Sequence, residues 1–403
     1  MSGRHTAGPR VGLFGILGSG NLGNDGCMDA IVTFLRDRYP DVRLDFMCMG
    51  PERVAEVYGA PSTALQWYEP HAGDATGAHA AALKVLGKLL DPFRTFRWVR
   101  GQDVVIVPGM GVLEATLPLR PWAFPYSLFW LTVCARLTGA KVALVSVGAN
   151  VVRKRFTRWF ITRAARLAHY RSYRDDQSRD ALRTMGVPVR GDDVYPDLAF
   201  ALPSPERRPG HGAVGVGVMS YYGGNDDRER ADELHLRYRT AITGFVRHLV
   251  DSGRPVRLLS GDVADEPMVE HILAEVPGDV VAEPLTTLDD LMRQMSQVDT
   301  MVGTRYHNVL CGLKVGLPTL SIGYAAKQDV LMAAMGLGDF CLKAGSIELG
   351  GLLERFAELE RRHAELTATL AERNRVTRER LEDQFAALAK VISSDEKTTR
   401  ETT

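Results

Sequence analysis

One pattern constrains this chain more than any other: short apolar, β-branched runs alternate with stretches of helical periodicity almost throughout. In the first half, Arg10–Leu17, Val42–Met47, Asp103–Pro108, Lys141–Val147 and His169–Arg174 read as strands. Helical patterns such as Met28–Arg38, Ser127–Leu137 and Arg155–Ala168 lie between them. Each helix carries the chain back across the sheet, so consecutive strands run parallel with helices on both faces. The segment Leu202 to Gly212, LPSPERRPGHG, interrupts the pattern with prolines and glycines and reads as a linker. Strands then resume with Ala213–Met219, Pro255–Leu259, Val298–Val302 and Pro318–Ile322. The expected fold is α/β, with two doubly wound Rossmann-like domains facing across a cleft, at residues 1–203 and 204–345. A helical tail follows over 346–403. Between Ile347 and Ile392 it shows apolar residues at three-to-four spacing, suited to packing on the domains. A sustained heptad is missing, which weighs against a coiled-coil partner.

Charge and cysteine usage narrow the function classes. Lys plus Arg and Asp plus Glu both number 49, so no global charge attracts nucleic acid. Only nine of the cations are lysines, which makes each lysine an unusual choice. Five cysteines are scattered without C-x-x-C spacing, which argues against a disulfide framework or zinc cluster and points to the cytoplasm. The N-terminus, Met1 to Arg10, is short and polar and lacks a signal core. No window reaches the ~18 apolar residues that a spanning helix needs. Residues 81–100 are nonetheless basic and amphipathic, with Leu, Phe and Trp among Lys84, Lys88, Arg94, Arg97 and Arg100. Such a stretch fits either peripheral contact at the inner face of a membrane or a core-packed helix with solvated cations.

Several loops at strand ends carry candidate chemistry. The first strand runs into Gly18-Ser19-Gly20-Asn21-Leu22-Gly23, a literal GxGxxG, followed by Asn24-Asp25. A nicotinamide site fails there, because the second strand ends in Met47-Cys48-Met49-Gly50 with no acid for a ribose. What remains is a structural glycine turn or a cleft loop for another ligand, with Asn21 and Asp25 as its polar groups. A second turn, Gly109-Met110-Gly111, follows the third strand, with close backbone approach as the alternative reading. Arg174 ends the strand before Asp175-Asp176, either of which can cap the next helix. Its fork suits a carboxylate or phosphate, or a salt bridge to those aspartates. In Gly303-Thr304-Arg305-Tyr306-His307, Thr304 is a candidate N-cap and His307 falls in the first helical turn. There the positive helix end keeps an imidazole neutral and able to act as a base. The following strand leads to Lys327, expected beside His307 at the same sheet edge. A surface lysine and a core histidine are the plainer readings of this pair.

Together, GNLGND at Gly20–Asp25, the turn Gly109–Gly111, YRDDQS at Tyr173–Ser178, Pro196-Asp197, GTRYH at Gly303–His307 and YAAK at Tyr324–Lys327 resemble the polysaccharide pyruvyl transferase family. The resemblance implies a GT-B-like fold, with the acceptor on the N-terminal domain and the donor on the C-terminal one. It implies transfer of pyruvate from phosphoenolpyruvate onto two sugar hydroxyls as a ketal, in cell-surface or exopolysaccharide synthesis. The donor cations of the family fall on Arg174 and Lys327, and its catalytic histidine on His307. Arg305 is a further cation for the same anionic donor. Gly20, Asn21, Gly23, Asp25, Gly109 and Gly111 would line the acceptor loops. Many members read Gly-Asp where this chain has Gly23-Asn24-Asp25, so its acid stands one place later. The acceptor would be a saccharide, lipid-linked, nucleotide-linked or free. No cofactor and no metal are expected. A glycosyltransferase using a nucleotide sugar is the rival reading, with Glu283 or Asp289 as the acid at its ribose. A non-catalytic glycan-binding relative is a second rival, but it has no need of a dipole-tuned base.

Overall fold

The computed structural model describes residues 8–393 apart from 72, 74, 75, 115–121, 209, 225 and 226. Residues 1–7 of the polar N-terminus, Pro209 of the linker and 394–403 at the C-terminal end lie outside the described residues. The chain forms two compact units. The first takes the described residues up to Ser19, Cys27–Leu198 and those from Arg380 on; the second takes Gly20–Gly26 and Ala199–Glu379. A linear reading divided at 203 and 345 has no means of showing these exchanges, because they depend on which residues touch.

In the first unit the order is β1 (Arg10–Gly15), α1 (Leu22–Arg38), β2 (Arg43–Cys48), α2 (Pro51–Tyr58), β3 (Ser62–Ala64), α3 (Tyr68–His71) and α4 (Gly77–Val99). Then come β4 (Val104–Pro108), α5 (Phe124–Thr138), β5 (Lys141–Val147), α6 (Arg155–Leu167), β6 (Tyr170–Tyr173), α7 (Asp176–Thr184) and β7 (Asp193–Val194). All seven strands are parallel, in the order β3-β2-β1-β4-β5-β6-β7. Central strands β4 and β5 read VVIVP and KVALVSV because helices cover both their faces, so alternation gives way to continuous apolar side chains. Winding reverses between β1 and β4. Right-handed crossovers therefore put α1 and α2 on one face and α4, α5 and α6 on the other.

The second unit continues with β8 (Val214–Gly217), α8 (Ala231–Asp251), β9 (Val256–Leu259), α9 (Glu266–Glu275), β10 (Val280–Ala282), α10 (Leu288–Met295) and β11 (Thr300–Gly303). It is completed by α11 (Tyr306–Val315), β12 (Thr319–Gly323), α12 (Ala326–Ala334), β13 (Cys341–Lys343) and α13 (Leu349–Arg361). Its six parallel strands run β10-β9-β8-β11-β12-β13, with the reversal between β8 and β11. Strand β8 reads VGVG because a side chain at Gly217 would strike Asn308 of α11. The helix thus lies close against the strand.

The tail expected as one helical run is two helices. Helix α13 ends at Arg361, and α14 spans His363–Ser393. Residues 363–379 of α14 belong to the second unit, where Leu366 and Leu370 are buried and Asn374 donates to the Leu313 carbonyl at 2.9 Å. Residues 380–393 belong to the first. There Phe385 stacks on Phe34 of α1 at 4.6 Å, and Leu381 and Leu388 are buried. Helices α1 and α2 cover only the β1–β3 side of their face, and this last segment covers the rest. Gln384, fully buried, is its anchor. Its carbonyl accepts from Ser172 Oγ at 2.6 Å and Ser146 Oγ at 3.2 Å, and its amide donates to the Tyr170 hydroxyl at 3.0 Å. Gln384→Leu strands those hydroxyls away from water. It should cost about 2–4 kcal/mol, read as a lower urea midpoint at unchanged slope.

Candidate functional site

Both sheets present their loops at the carboxyl ends of strands, and the loops beside each winding reversal are the natural ligand positions. In the first unit these follow β1 and β4. Gly18 has φ +68° and lies against Gly50, where a side chain on either residue would strike the other's backbone. Backbone packing thus fills the place where a dinucleotide fold keeps its ribose acid. After β4, Gly109 (φ +49°) and Met110 (φ +59°) are left-handed, and a side chain at Gly109 would strike the Cys27 thiol. Cys27 lies 3.5 Å from Asp197 Oδ1. Burial, followed by the Asp197 charge, pushes its thiol well above the ordinary value, so it stays protonated and unreactive.

Arg174 directly follows β6, which stops one residue short of the expected strand end, and its guanidinium is enclosed. It is hydrogen-bonded to Glu114, with Asp175 at 3.7 Å and Asp197 at 3.8 Å, and its side chain is 4% exposed. Gly111 and Gly148 make room for this pair, since a side chain at either would overlap Glu114, and at Gly148 Arg174 as well. Of the two candidate caps, Asp175 holds the start of α7, accepting from the Ser178 amide at 2.6 Å. Gly109 and Gly111 thus each lie against a neighbouring side chain, Cys27 and Glu114 respectively.

In the second unit β11 delivers GTRYH to the sheet edge. The sequence rule nominated Thr304 as N-cap; instead Arg305 holds that position, without a side-chain cap. The Thr304 hydroxyl is drawn inward to the buried Tyr238 hydroxyl at 2.7 Å, a buried hydrogen bond that outcompetes a solvent-side cap. Arg305 forms a two-pronged pair with the fully buried Asp265, at 2.8 and 2.7 Å. Burial works against its charge, but Asp265 outweighs that and raises its pKa. Asp265 also accepts from the Ser220 amide at 3.0 Å, tying the loop after β8 to that after β11.

His307 occupies the first turn of α11, its ring edge-on to Tyr306 at 5.1 Å. Lys327 Nζ sits 5.4 Å above the Tyr306 ring, so His307, Tyr306 and Lys327 form one cluster. Buried Gln328 holds the two loops in register. Its amide donates to the Thr304 carbonyl at 2.6 Å, and its carbonyl accepts from the Tyr324 amide at 2.9 Å. The GNLGND loop completes the arrangement within this unit. Asn21 caps α1 through the Asn24 amide at 3.2 Å, and Gly23 lies against the His307 imidazole. Any Cβ at Gly23 would overlap that ring. The Asp25 amide donates to the Asn21 carbonyl at 3.1 Å, closing the same first turn.

The structure therefore brings His307, Arg305, Lys327, Asn21 and Gly23 together in the second unit. Arg174, Gly109 and Gly111 lie together in the first. Sequence reasoning missed Glu114, Asp265, Tyr238 and Gln328. Only Glu114 left a local signal, as the acid three residues after Gly111. Of the rival acids, Glu283 pairs with Arg257 at 2.9 Å and Asp289 with Arg293 at 3.1 Å.

The structure is similar to a putative UDP-N-acetylglucosamine 2-epimerase from Listeria monocytogenes (12% identity, 96% of this chain and 97% of that one, TM-score 0.62). It is also similar to MurG of Acinetobacter baumannii (12%, 95% and 99%, 0.55) and to Anabaena HepE in complex with UDP and glucose (10%, 96% and 100%, 0.56). At such identities the likeness is one of fold: two parallel α/β units with a helical C-terminal segment, of GT-B-like kind. A search of curated proteins gives no match. The sequence matches the polysaccharide pyruvyl transferase family over residues 21–325, a span that runs from the GNLGND loop past His307. The chain belongs to the polysaccharide pyruvyl transferase family.

Proposed function

We propose that the protein transfers pyruvate from phosphoenolpyruvate onto two hydroxyls of a saccharide, forming a ketal. One observation carries the reading: the GNLGND glycine is kept bare where the His307 ring lies against it. That fit sets the imidazole directly beside the loop that carries the family motif. Protonation of the donor methylene carbon makes C2 oxocarbenium-like. A sugar hydroxyl adds to C2 as His307 takes its proton, and the C2–O bond to phosphate breaks. A second hydroxyl adds with loss of its own proton. One hydroxyl proton replaces the one taken up at the methylene, and the other leaves with phosphate, so donor and diol give ketal and inorganic phosphate. Lys327 supplies positive charge for the donor's carboxylate and phosphate, and Arg305 would join it by sharing the guanidinium that Asp265 now holds. The family resemblance also gives Arg174, in the first unit, a donor role; its guanidinium there is paired with Glu114.

The rival nucleotide-sugar reading is favoured by HepE, a fold neighbour bound to UDP and glucose. Its proposed ribose acids form surface pairs, Glu283 with Arg257 and Asp289 with Arg293. Donor consumption decides between them. Inorganic phosphate released from phosphoenolpyruvate with a saccharide present supports the proposal; nucleoside diphosphate released from a sugar nucleotide overturns it. Within the proposal, Lys327→Ala should mainly weaken donor binding, by roughly ten- to a hundredfold, since a charge-assisted contact is lost. Calorimetry with phosphoenolpyruvate reads that change.

A further inference from the structure

Helix α4 is inside out. Its inward stripe carries Gly87, Asp91 and Thr95 ahead of Trp98, with Asp91 buried, accepting from the Trp67 amide at 2.8 Å and paired with Arg94 at 3.0 Å. Its outward stripe carries Val85, Leu86, Leu89, Phe93 and Phe96 at three-to-four spacing, with Phe93 76% and Leu89 64% exposed. A helix that only packed on its own sheet would show the reverse pattern. Helix α6, next to α5 on the same sheet face, buries Phe160, Ile161, Ala164 and Ala165 in the ordinary way, yet it too turns large apolar side chains outward, with Phe156 65% and Trp159 46% exposed. Exposed Trp122, ahead of α5, contacts Phe160 of α6 edge-on at 5.6 Å and adds to this aromatic flank.

The charges on these helices are equally one-sided. Lys84 and Arg97 of α4 and Arg155, Arg158, Arg163 and Arg166 of α6 are exposed. The buried Asp91 is the only acid among the residues of α4, α5 and α6. The whole chain is neutral, so this bias is local. Large side chains interleaved with cations and no exposed acid fit a surface that is apolar beneath and anionic at its boundary. A protein partner would instead favour an apolar centre from which charge is excluded.

We propose that the α4–α6 flank of the first unit docks on the surface of an anionic phospholipid bilayer. Phe93, Leu89, Phe156 and Trp159 enter the headgroup region, and Arg97, Arg155 and Arg158 meet lipid phosphates. Docking is peripheral, since no described helix is long and apolar enough to cross a membrane. The sequence stretch 81–100 therefore accounts for half of the surface, and α6 supplies the other half.

The experiment is cosedimentation of the full chain with vesicles of phosphatidylcholine alone or with about a third phosphatidylglycerol. The protein should sediment with the anionic vesicles, little with the neutral ones, and less as salt rises. Phe93→Ser with Phe156→Ser, and separately Arg155→Glu with Arg158→Glu, should each lower partition about tenfold or more at unchanged melting temperature. All four residues are exposed, so loss of binding without loss of fold is the expected result. No sedimentation with anionic vesicles at low salt overturns the proposal, as does wild-type partition by both double variants. A concentration-dependent dimer that the serine pair dissolves, in a protein that ignores vesicles, also overturns it and assigns the face to a second copy.

Discussion

Replacing His307 with alanine should lower saturated release of phosphate by about a hundredfold or more, near 3 kcal/mol of barrier, while donor affinity stays close to that of the unaltered protein. The reason lies in its proposed role, since the imidazole accepts a proton only as a sugar hydroxyl attacks. Gly23→Ala should act in the same direction through displacement of the ring, because its Cβ would occupy the imidazole's space. Lys327→Ala, by contrast, acts on affinity, so the variants separate binding from chemistry. If His307→Ala abolishes donor binding but leaves saturated turnover intact, His307 is a ligand and not the base.

The second large effect concerns stability. Arg174 is the cation among three carboxylates, Glu114, Asp175 and Asp197, in a buried place. Arg174→Ala leaves those acids facing one another without a counter-charge. It should destabilise the protein by about 3–5 kcal/mol, measured by urea unfolding. Glu114→Gln should cost less, since Asp175 and Asp197 still face the guanidinium. Equal stability for all three proteins would mean that the pairing holds nothing together. An Arg174→Ala protein that unfolds normally yet fails to bind phosphoenolpyruvate would assign the guanidinium to the donor and not to the fold.

The parts of this structure visible in the sequence are those that local physics determines. Strands β1, β4, β5, β8, β11 and β12 are central, buried on both faces, and written as apolar runs. Strands β3, β7, β10 and β13, of two or three residues, lie at or next to sheet edges and leave no periodicity to read. The motif loops were legible because glycine and charge cluster there. Their counterparts were not: Glu114 is 60 residues from Arg174, Asp265 is 40 from Arg305, and Tyr238 is 66 from Thr304. Such pairs are chosen by three-dimensional proximity, and composition near either member is silent about the other. Thr304 shows the same limit from the opposite side, as a correct local rule overruled by a distant hydroxyl.

Gln384 stands 212 residues beyond Ser172 and 238 beyond Ser146, the strand hydroxyls that it joins. On a ribosome, the first seven strands emerge long before the helix that covers β5 and β6. Throughout that interval their open face presents apolar side chains to solvent, and the intervening unit must be made before relief arrives. Chaperone dependence during synthesis, and failure of an isolated N-terminal half to accumulate in soluble form, are the cellular costs of giving a first unit its last piece from the far end of the chain.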